Sequence, residues 1–340
     1  MSFLKYQNEI PEFLTFYLKY TNFIERAAST TTDEAFNDLR TFFRYIKLLK
    51  KEEEITKEIL SNTSIIDVTI NVIQSVTRQD IDKFLYFLKY DLENCPKTRN
   101  RKMATLKKFF EYIVNNNYIT YNPVASYRSA TVEKRLPKYL NLDESKKLLS
   151  KTATTEERNT IRNYAIICLF LNCCLRLSEL VEINITDIKL DDKTLKVTGK
   201  GNKERITYLN DAVIEAIKKY LEIRPTLDKT DINYNALFLS ERRKRISRRN
   251  VQTIISNELK KAFEGNKNDL HTHSLRHTGA TLLYNENDIS ILIIQKILGH
   301  STVDVTKIYT HIYDKEVEQA MQEHPLSKFK YKDALAYAVA

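Results

Sequence analysis

Only five glycines occur in 340 residues, and four of them, Gly199, Gly201, Gly279 and Gly299, fall in or beside the segments that carry the polar motifs discussed below. The four cysteines (95, 168, 173 and 174) are too few for a disulfide framework in a chain of this length, and they fit a reducing compartment. No apolar run approaches ~18 residues, so a membrane-spanning helix is excluded. The opening stretch, MSFLKYQNEI, lacks the apolar core of a secretory signal, and a cytoplasmic location is expected. No internal repeat or low-complexity segment stands out.

What is present points to two domains, at roughly 100–200 residues each, with a core apiece. Lys and Arg number 54 against 44 Asp and Glu, giving a net charge of +10 and a pI near 9.1. Such a balance suits a polyanionic partner, and both halves of the chain share the excess. Apolar residues at 42% and charged residues at 29% are ordinary for a globular protein.

The first ~125 residues read as helices. Phe36, Leu39, Phe43 and Ile46 form one stripe, and Met103, Leu106, Phe110 and Ile113 form another. From Tyr121 to Pro137 the rhythm breaks, with Pro123 and Pro137 at its edges, and this stretch is predicted to join the domains. The second half is mixed. Leu142–Ser150 reads as a helix capped by Asn141 or Asp143, and Tyr164–Leu171 as a buried helix. Leu195 and Val197, then Ile206 and Tyr208, alternate around Gly-Lys-Gly-Asn-Lys at 199–203, which predicts a hairpin. Helices are expected again at 211–222, 249–263, 274–285 and 289–298, the last ended by Gly299.

Two acid-free clusters of base occur. Lys97, Arg99, Arg101, Lys102, Lys107 and Lys108 lie within twelve residues, and Arg242, Arg243, Lys244, Arg245, Arg248 and Arg249 within eight. A single cluster is as readily a solvated face, but one in each half favours contact with a phosphate backbone, which gives affinity without sequence preference.

Four short blocks concentrate chemically useful side chains. They are Cys174-Leu-Arg-Leu-Ser-Glu-Leu180, the hairpin turn with Lys200, His273-Ser-Leu-Arg276-His277, and Leu298-Gly-His300 followed by Tyr309-Thr-His311. His273 and Arg276, at i and i+3, share a helix face. Gly-Lys-Gly is not a P-loop, whose glycine spacing and Lys-Ser/Thr ending are missing. The spacing of His271, His273 and His277 does not match a zinc site, and no metal is expected. Taken singly, Arg176 reads as a structural ion-pair residue, Lys200 as a solvated turn residue and Tyr309 as one tyrosine among twenty.

In order and spacing together, the blocks resemble the tyrosine recombinase (phage integrase) family, most closely its bacterial Xer type. GKGNKERITYLN, HSLRHTGATLL and LGHSTVDVTKIYTHI carry the likeness over most of 137–315, and KTRNRKMATLKKFFEYI is the most family-like part of the helical half. The resemblance implies a mainly α fold with a small β-sheet: a helical core-binding domain at 1–125, a linker at 126–137, a mixed α/β catalytic domain at 138–325 and a C-terminal tail at 326–340.

The same resemblance implies a chemistry in which a tyrosine cuts one DNA strand, forming a 3′-phosphotyrosine and freeing a 5′-hydroxyl, without metal or other cofactor. By match, Tyr309 is the nucleophile. Arg176 and Arg276 hold the non-bridging oxygens, where guanidinium forks suit the growing charge. Lys200 protonates the departing 5′-oxygen, His273 is the assisting base, His300 donates a hydrogen bond to the phosphate, and Glu179 supports the site. The family usually has Gly where this chain has Cys174. The implied partners are a double-stranded recombination site, a tetrameric synapse with itself or a paralogous recombinase, and an activator protein. Chromosome-dimer resolution is the expected role. The alternatives are a mobile-element integrase, a type IB topoisomerase with shared chemistry, and a catalytically silent DNA-binding protein. Leu335, Tyr337 and Val339 in the tail are candidates for docking on a neighbouring subunit.

Overall fold

The computed structural model describes residues 9–24, 29–131, 138–199, 202–267, 269–287, 291–299 and 317–339. The chain divides into two compact units, 1–135 and 136–340.

The first unit is helical: α1 (Glu12–Lys19), α2 (Ser29–Lys50), α3 (Lys57–Asn62), α4 (Ile70–Gln74), α5 (Arg78–Tyr90) and α6 (Pro96–Asn115). Both predicted stripes are buried, Phe36, Leu39, Phe43 and Ile46 on α2 and Met103, Leu106, Phe110 and Ile113 on α6. The two helices meet through edge-on aromatic contacts, Phe43 with Phe109 at 5.3 Å and Phe42 with Phe110 at 5.9 Å, the arrangement ring quadrupoles favour. Thr77 and Asp80 close a capping box at the start of α5.

The expected linker differs from the structure over its described part. Val124 is buried in the core of the helical unit. The Tyr127 hydroxyl donates to Asp82, its ring lies under Arg78, and Ala130 exchanges two hydrogen bonds with the Asn100 side chain. Residues 126–131 are therefore fastened to the first unit. Proline spacing marked a break in helical rhythm there but could not show where the irregular chain would pack. Residues 132–137 lie outside the described residues.

The second unit contains α7 (Leu142–Thr152), α8 (Arg158–Cys173), α9 (Leu177–Glu182), the antiparallel strands β1 (Ile188–Lys189), β2 (Thr194–Thr198) and β3 (Glu204–Tyr208), then α10 (Asp211–Ile223), α11 (Arg248–Phe263), α12 (Thr272–Asn287) and α13 (Ile291–Leu298). Asn141 caps α7, with Glu144 completing the box. Helix α8 runs through the centre, every residue from Tyr164 to Cys173 being buried. The hairpin pairs Val197 with Arg205 and Lys196 with Ile206. Leu195 and Val197 face inward, as the alternation implied, but in β3 the inward residues are Arg205 and Thr207, and Ile206 is 62% exposed. Apolar alternation therefore assigned that strand's faces the wrong way round.

The tail differs too. Residues 317–322 are helical, and a C-terminal helix (Tyr331–Val339) packs on α7 and α10 of the same unit. Leu326, Tyr331 and Ala334 are buried in the second unit's core, with Leu335 half-buried against it and Tyr337 exposed. In the sequence 326–340 is a basic stretch followed by an apolar one, a pattern that does not show which core it joins. No helix among the described residues is long and apolar enough to cross a membrane.

Candidate active site

Three chain segments meet at one buried carboxylate. Helix α8 ends at Cys173, Cys174 takes the left-handed conformation (φ 50°), and α9 begins with Arg176 at its N-cap. This corner turns Arg176 back onto Glu179, whose Oε2 accepts from the Arg176 amide (2.8 Å) and whose Oε1 accepts from Arg176 Nη1 (2.8 Å). Arg205 on β3 donates from Nη2 to Oε2 at 2.9 Å. Arg276 on α12 brings Nη1 to 3.6 Å from the same oxygen. The Glu179 side chain is fully buried, so one carboxylate gathers three guanidiniums and the cluster keeps a surplus of positive charge.

The same guanidiniums close helix α13. Arg176 Nη2 donates to the Gly299 carbonyl (3.0 Å), and Arg276 Nη2 donates to the Leu298 carbonyl. These carbonyls would otherwise be unpaired at the helix end, where the dipole also favours cations. Gly299 has φ +60°, and a Cβ there would meet Arg205 Nε at 2.9 Å, so glycine is required both by backbone and by space. Two donors, Arg205 Nε and Arg276 Nη1, are buried without a hydrogen-bond acceptor among the described residues. A buried donor left unmatched is costly, and at Arg276 it is unused capacity for an anion.

Burial, with Arg176 nearby, pushes Arg276 down to about 10, which leaves it charged at neutral pH. His273, an exposed residue one turn earlier on α12, is held below the usual histidine value by partial desolvation and by His271, Arg276, His277 and Arg176. Its ring is therefore neutral near pH 7 and can accept a proton. Burial pushes the Cys174 thiol up to about 12, so it stays protonated.

Of the residues singled out in the sequence, the structure brings Arg176, Glu179 and Arg276 together and places His273 on the same helix as Arg276. Lys200, His300 and Tyr309 lie outside the described residues. Arg205 was missed because a charged residue in a strand next to a basic turn reads as solvated. Its signal was the inward register opposite Val197.

Two members of the basic clusters need correction as surface residues. Lys102 is buried and donates to Asp38 (3.1 Å), which also accepts from Arg101 and Thr105. Arg245 donates to the carbonyls of Val181 and Ile183 and to Asn184. In each case the partner lies far away in sequence, which an acid-free window cannot reveal. Lys107 likewise donates to the Tyr127 carbonyl, and Arg99 to that of Asn94. Lys97, Arg101 and Lys108, and Arg242, Arg243, Lys244, Arg248 and Arg249, are exposed.

Residues 138–316 match the sequence profile of the phage integrase family. The chain is 42% identical over 332 residues to a tyrosine recombinase XerC of Caldanaerobacter subterraneus subsp. tengcongensis, covering 96% of this chain and 90% of that one. The chain belongs to the phage integrase family. Within it, this is a Xer-type tyrosine recombinase, an enzyme that cuts and rejoins DNA at specific sites. A tyrosine recombinase XerD of Staphylococcus saprophyticus is 31% identical over 312 residues, covering 91% of this chain and 97% of its own. The recombinase shares its fold with the solved XerH site-specific recombinase bound to a palindromic difH substrate (20% identity, TM-score 0.58, 92% and 94% coverage).

Proposed function

We propose that the guanidinium cluster on Glu179 is the clamp for the scissile phosphate, and that the recombinase acts in Xer-type chromosome-dimer resolution in the cytoplasm. Arg176 and Arg276 hold the non-bridging oxygens. The Tyr309 oxygen attacks phosphorus, the bond from phosphorus to the 5′-oxygen breaks, and a 3′-phosphotyrosine forms. His273 takes the phenolic proton, Lys200 gives a proton to the departing 5′-oxygen, and His300 donates a hydrogen bond to the phosphate. A 5′-hydroxyl from the partner strand then reverses the step and releases Tyr309. One phosphoester is exchanged for another at each stage, so the cycle balances without nucleotide hydrolysis.

The observation that carries this reading is the convergence of Arg176, Arg205 and Arg276 on the buried Glu179, with Arg276 Nη1 left without a hydrogen-bond acceptor among the described residues. Three cations around one anion fit a site whose second anion arrives with substrate. The DNA-facing surfaces in this reading are the starts of α6 and α11, where Lys97, and Arg248 and Arg249, occupy first turns. Basic residues there oppose the helix dipole, so local stability does not explain them, whereas amide groups and cations together suit phosphate. Residues 1–131 serve as the core-binding domain and residues 138–339 as the catalytic domain. Strand exchange proceeds through a Holliday junction built by four protomers on two sites, with a paralogous recombinase and an activator protein as candidate partners.

The test uses a duplex selected from random sequence by the purified protein, nicked so that cleavage is trapped. Wild type yields a denaturant-resistant protein–DNA adduct. Tyr309→Phe binds the same duplex and yields none; an adduct formed by the Phe variant overturns the assignment.

A further inference from the structure

The hairpin carries an arrangement that its own hydrophobicity opposes. In β3, Arg205 points inward and Ile206 faces solvent. A slip of one residue against β2 would bury Ile206 and expose Arg205, because side chains alternate strictly between faces. Among the described residues β3 is an edge strand, paired only with β2, and no second ladder there resists the slip. What opposes it is the inward grip of Arg205: Nη2 donates to Glu179 at 2.9 Å, and the side chain lies across Gly299 in the space a Cβ would fill.

The hairpin turn is one pairing step away. Val197 pairs with Arg205, Thr198 with Glu204, and the Gly199 amide donates to the Lys203 carbonyl at 2.8 Å. Gly199 itself sits against the Glu179 carboxylate, a Cβ there lying 3.5 Å from Oε1. Register at Arg205 therefore decides where Gly199 and Asn202, the described neighbours of the 200–201 segment, are held.

We propose that Arg205 is the positioning residue that fixes the β2–β3 register and thereby delivers Lys200 to the leaving 5′-oxygen. The second half of this statement rests on the assignment of Lys200 as the acid; the first half does not. Arg205 acts through the hairpin, and the phosphate is held by Arg176 and Arg276.

Two measurements test the two halves separately. For register, Cys is placed at the directly opposed, exposed positions 196 and 206 in a Cys95→Ser background, since opposed Cβ atoms are close enough to bridge. Oxidation gives near-complete crosslinking in the parent and a fall of at least about tenfold in rate with Arg205→Met added. Unchanged crosslinking overturns the register claim. For Lys200, single-turnover cleavage is compared on an ordinary phosphate and on a 5′-bridging phosphorothioate, whose sulfur leaves without protonation. Arg205→Met slows the ordinary substrate by roughly 10²-fold, the lower range of general-acid loss, and the sulfur substrate by less than about threefold. Equal slowing on both overturns the positioning role and marks Arg205 as a phosphate ligand. Arg205→Lys, which keeps one cationic contact to Glu179, recovers most of the rate and serves if the Met variant fails to fold. Lys200→Ala is the control: if sulfur does not rescue it, the acid assignment fails, while the crosslinking result still decides the register.

Discussion

The carbonyl oxygen of Leu171 occupies the space that a Cβ on Gly279 would need, and Cys174 Sγ lies 2.9 Å from the same point. Helices α8 and α12 thus touch backbone to backbone just where Arg176 and Arg276 leave them. Gly279→Ala is expected to destabilise the catalytic unit by roughly 2–3 kcal/mol, since backbone cannot yield as a side-chain tip can. Cys174→Gly relieves a left-handed cysteine but empties a buried site, and the two effects should cancel to within about 1 kcal/mol. Because the Leu171 carbonyl is the nearer obstacle, Cys174→Gly does not rescue Gly279→Ala. Urea melts of the three variants check both statements.

Asp38 has a buried side chain and accepts from Arg101, Lys102 and Thr105. Asp38→Ala leaves Lys102 buried and unpaired and should cost roughly 3 kcal/mol of stability in the helical unit. Lys102→Ala should act on stability alone. Lys97→Ala should leave stability unchanged and reduce the salt slope of DNA binding by about one. Thermal melts and binding titrations over salt separate the two lysines.

His324 is fully buried, and burial pushes it down to about 4. Its Nδ1 accepts from the Leu326 amide at 3.1 Å. Above the unfolded value of 6.5 the ring is neutral in both states. As pH falls, the unfolded chain takes up a proton that the folded chain refuses until about pH 4. Stability is therefore present above pH 6.5 and drains away between 6.5 and 4, by on the order of 3 kcal/mol for this group. His324→Asn should flatten the decline between pH 7 and pH 5. Denaturant midpoints across that range test it, and parallel profiles for both proteins contradict it.

Tyr331 inserts its ring edge against Tyr164 at 4.8 Å, donates its hydroxyl to the Thr155 carbonyl at 2.6 Å and carries Lys219 4.0 Å above its face. Tyr331→Ala, or deletion after Ser327, should lower the stability of the catalytic unit by roughly 3 kcal/mol or more. Unchanged melting of the truncated protein would mean that the C-terminal helix is not part of this core.

Glu179→Gln leaves three guanidiniums without their carboxylate. The variant should melt well below wild type and regain more of the difference in sulfate than wild type gains, because an anion can replace the lost charge. Equal sulfate shifts in both proteins would separate the cluster from anion binding.

Much of this was readable in the sequence. The stripes of α2 and α6, the buried α8 and the Gly299 stop follow from local periodicity and caps, which are properties of neighbouring residues. Arg176, Glu179 and Arg276 stood out through their blocks. What escaped depends on contacts across the fold. Asp38 draws Lys102 inward, the Val181–Asn184 backbone claims Arg245, and Glu179 turns Arg205 to the side where alternation placed apolar residues. A hydrophobic pattern reports which face is cheaper to bury, and a buried carboxylate can reverse that preference for a single strand.

The sharing of Glu179 also ties completion of the guanidinium cluster to the order in which the chain is made. Its carboxylate sits early in the catalytic unit, Arg205 on the hairpin and Arg276 on a much later helix. A chain still emerging from the ribosome has the first two without the third, and the α13 carbonyls that align Arg176 and Arg276 come later still. A chain that ends before α12 thus lacks Arg276 and cannot gather all three guanidiniums on Glu179.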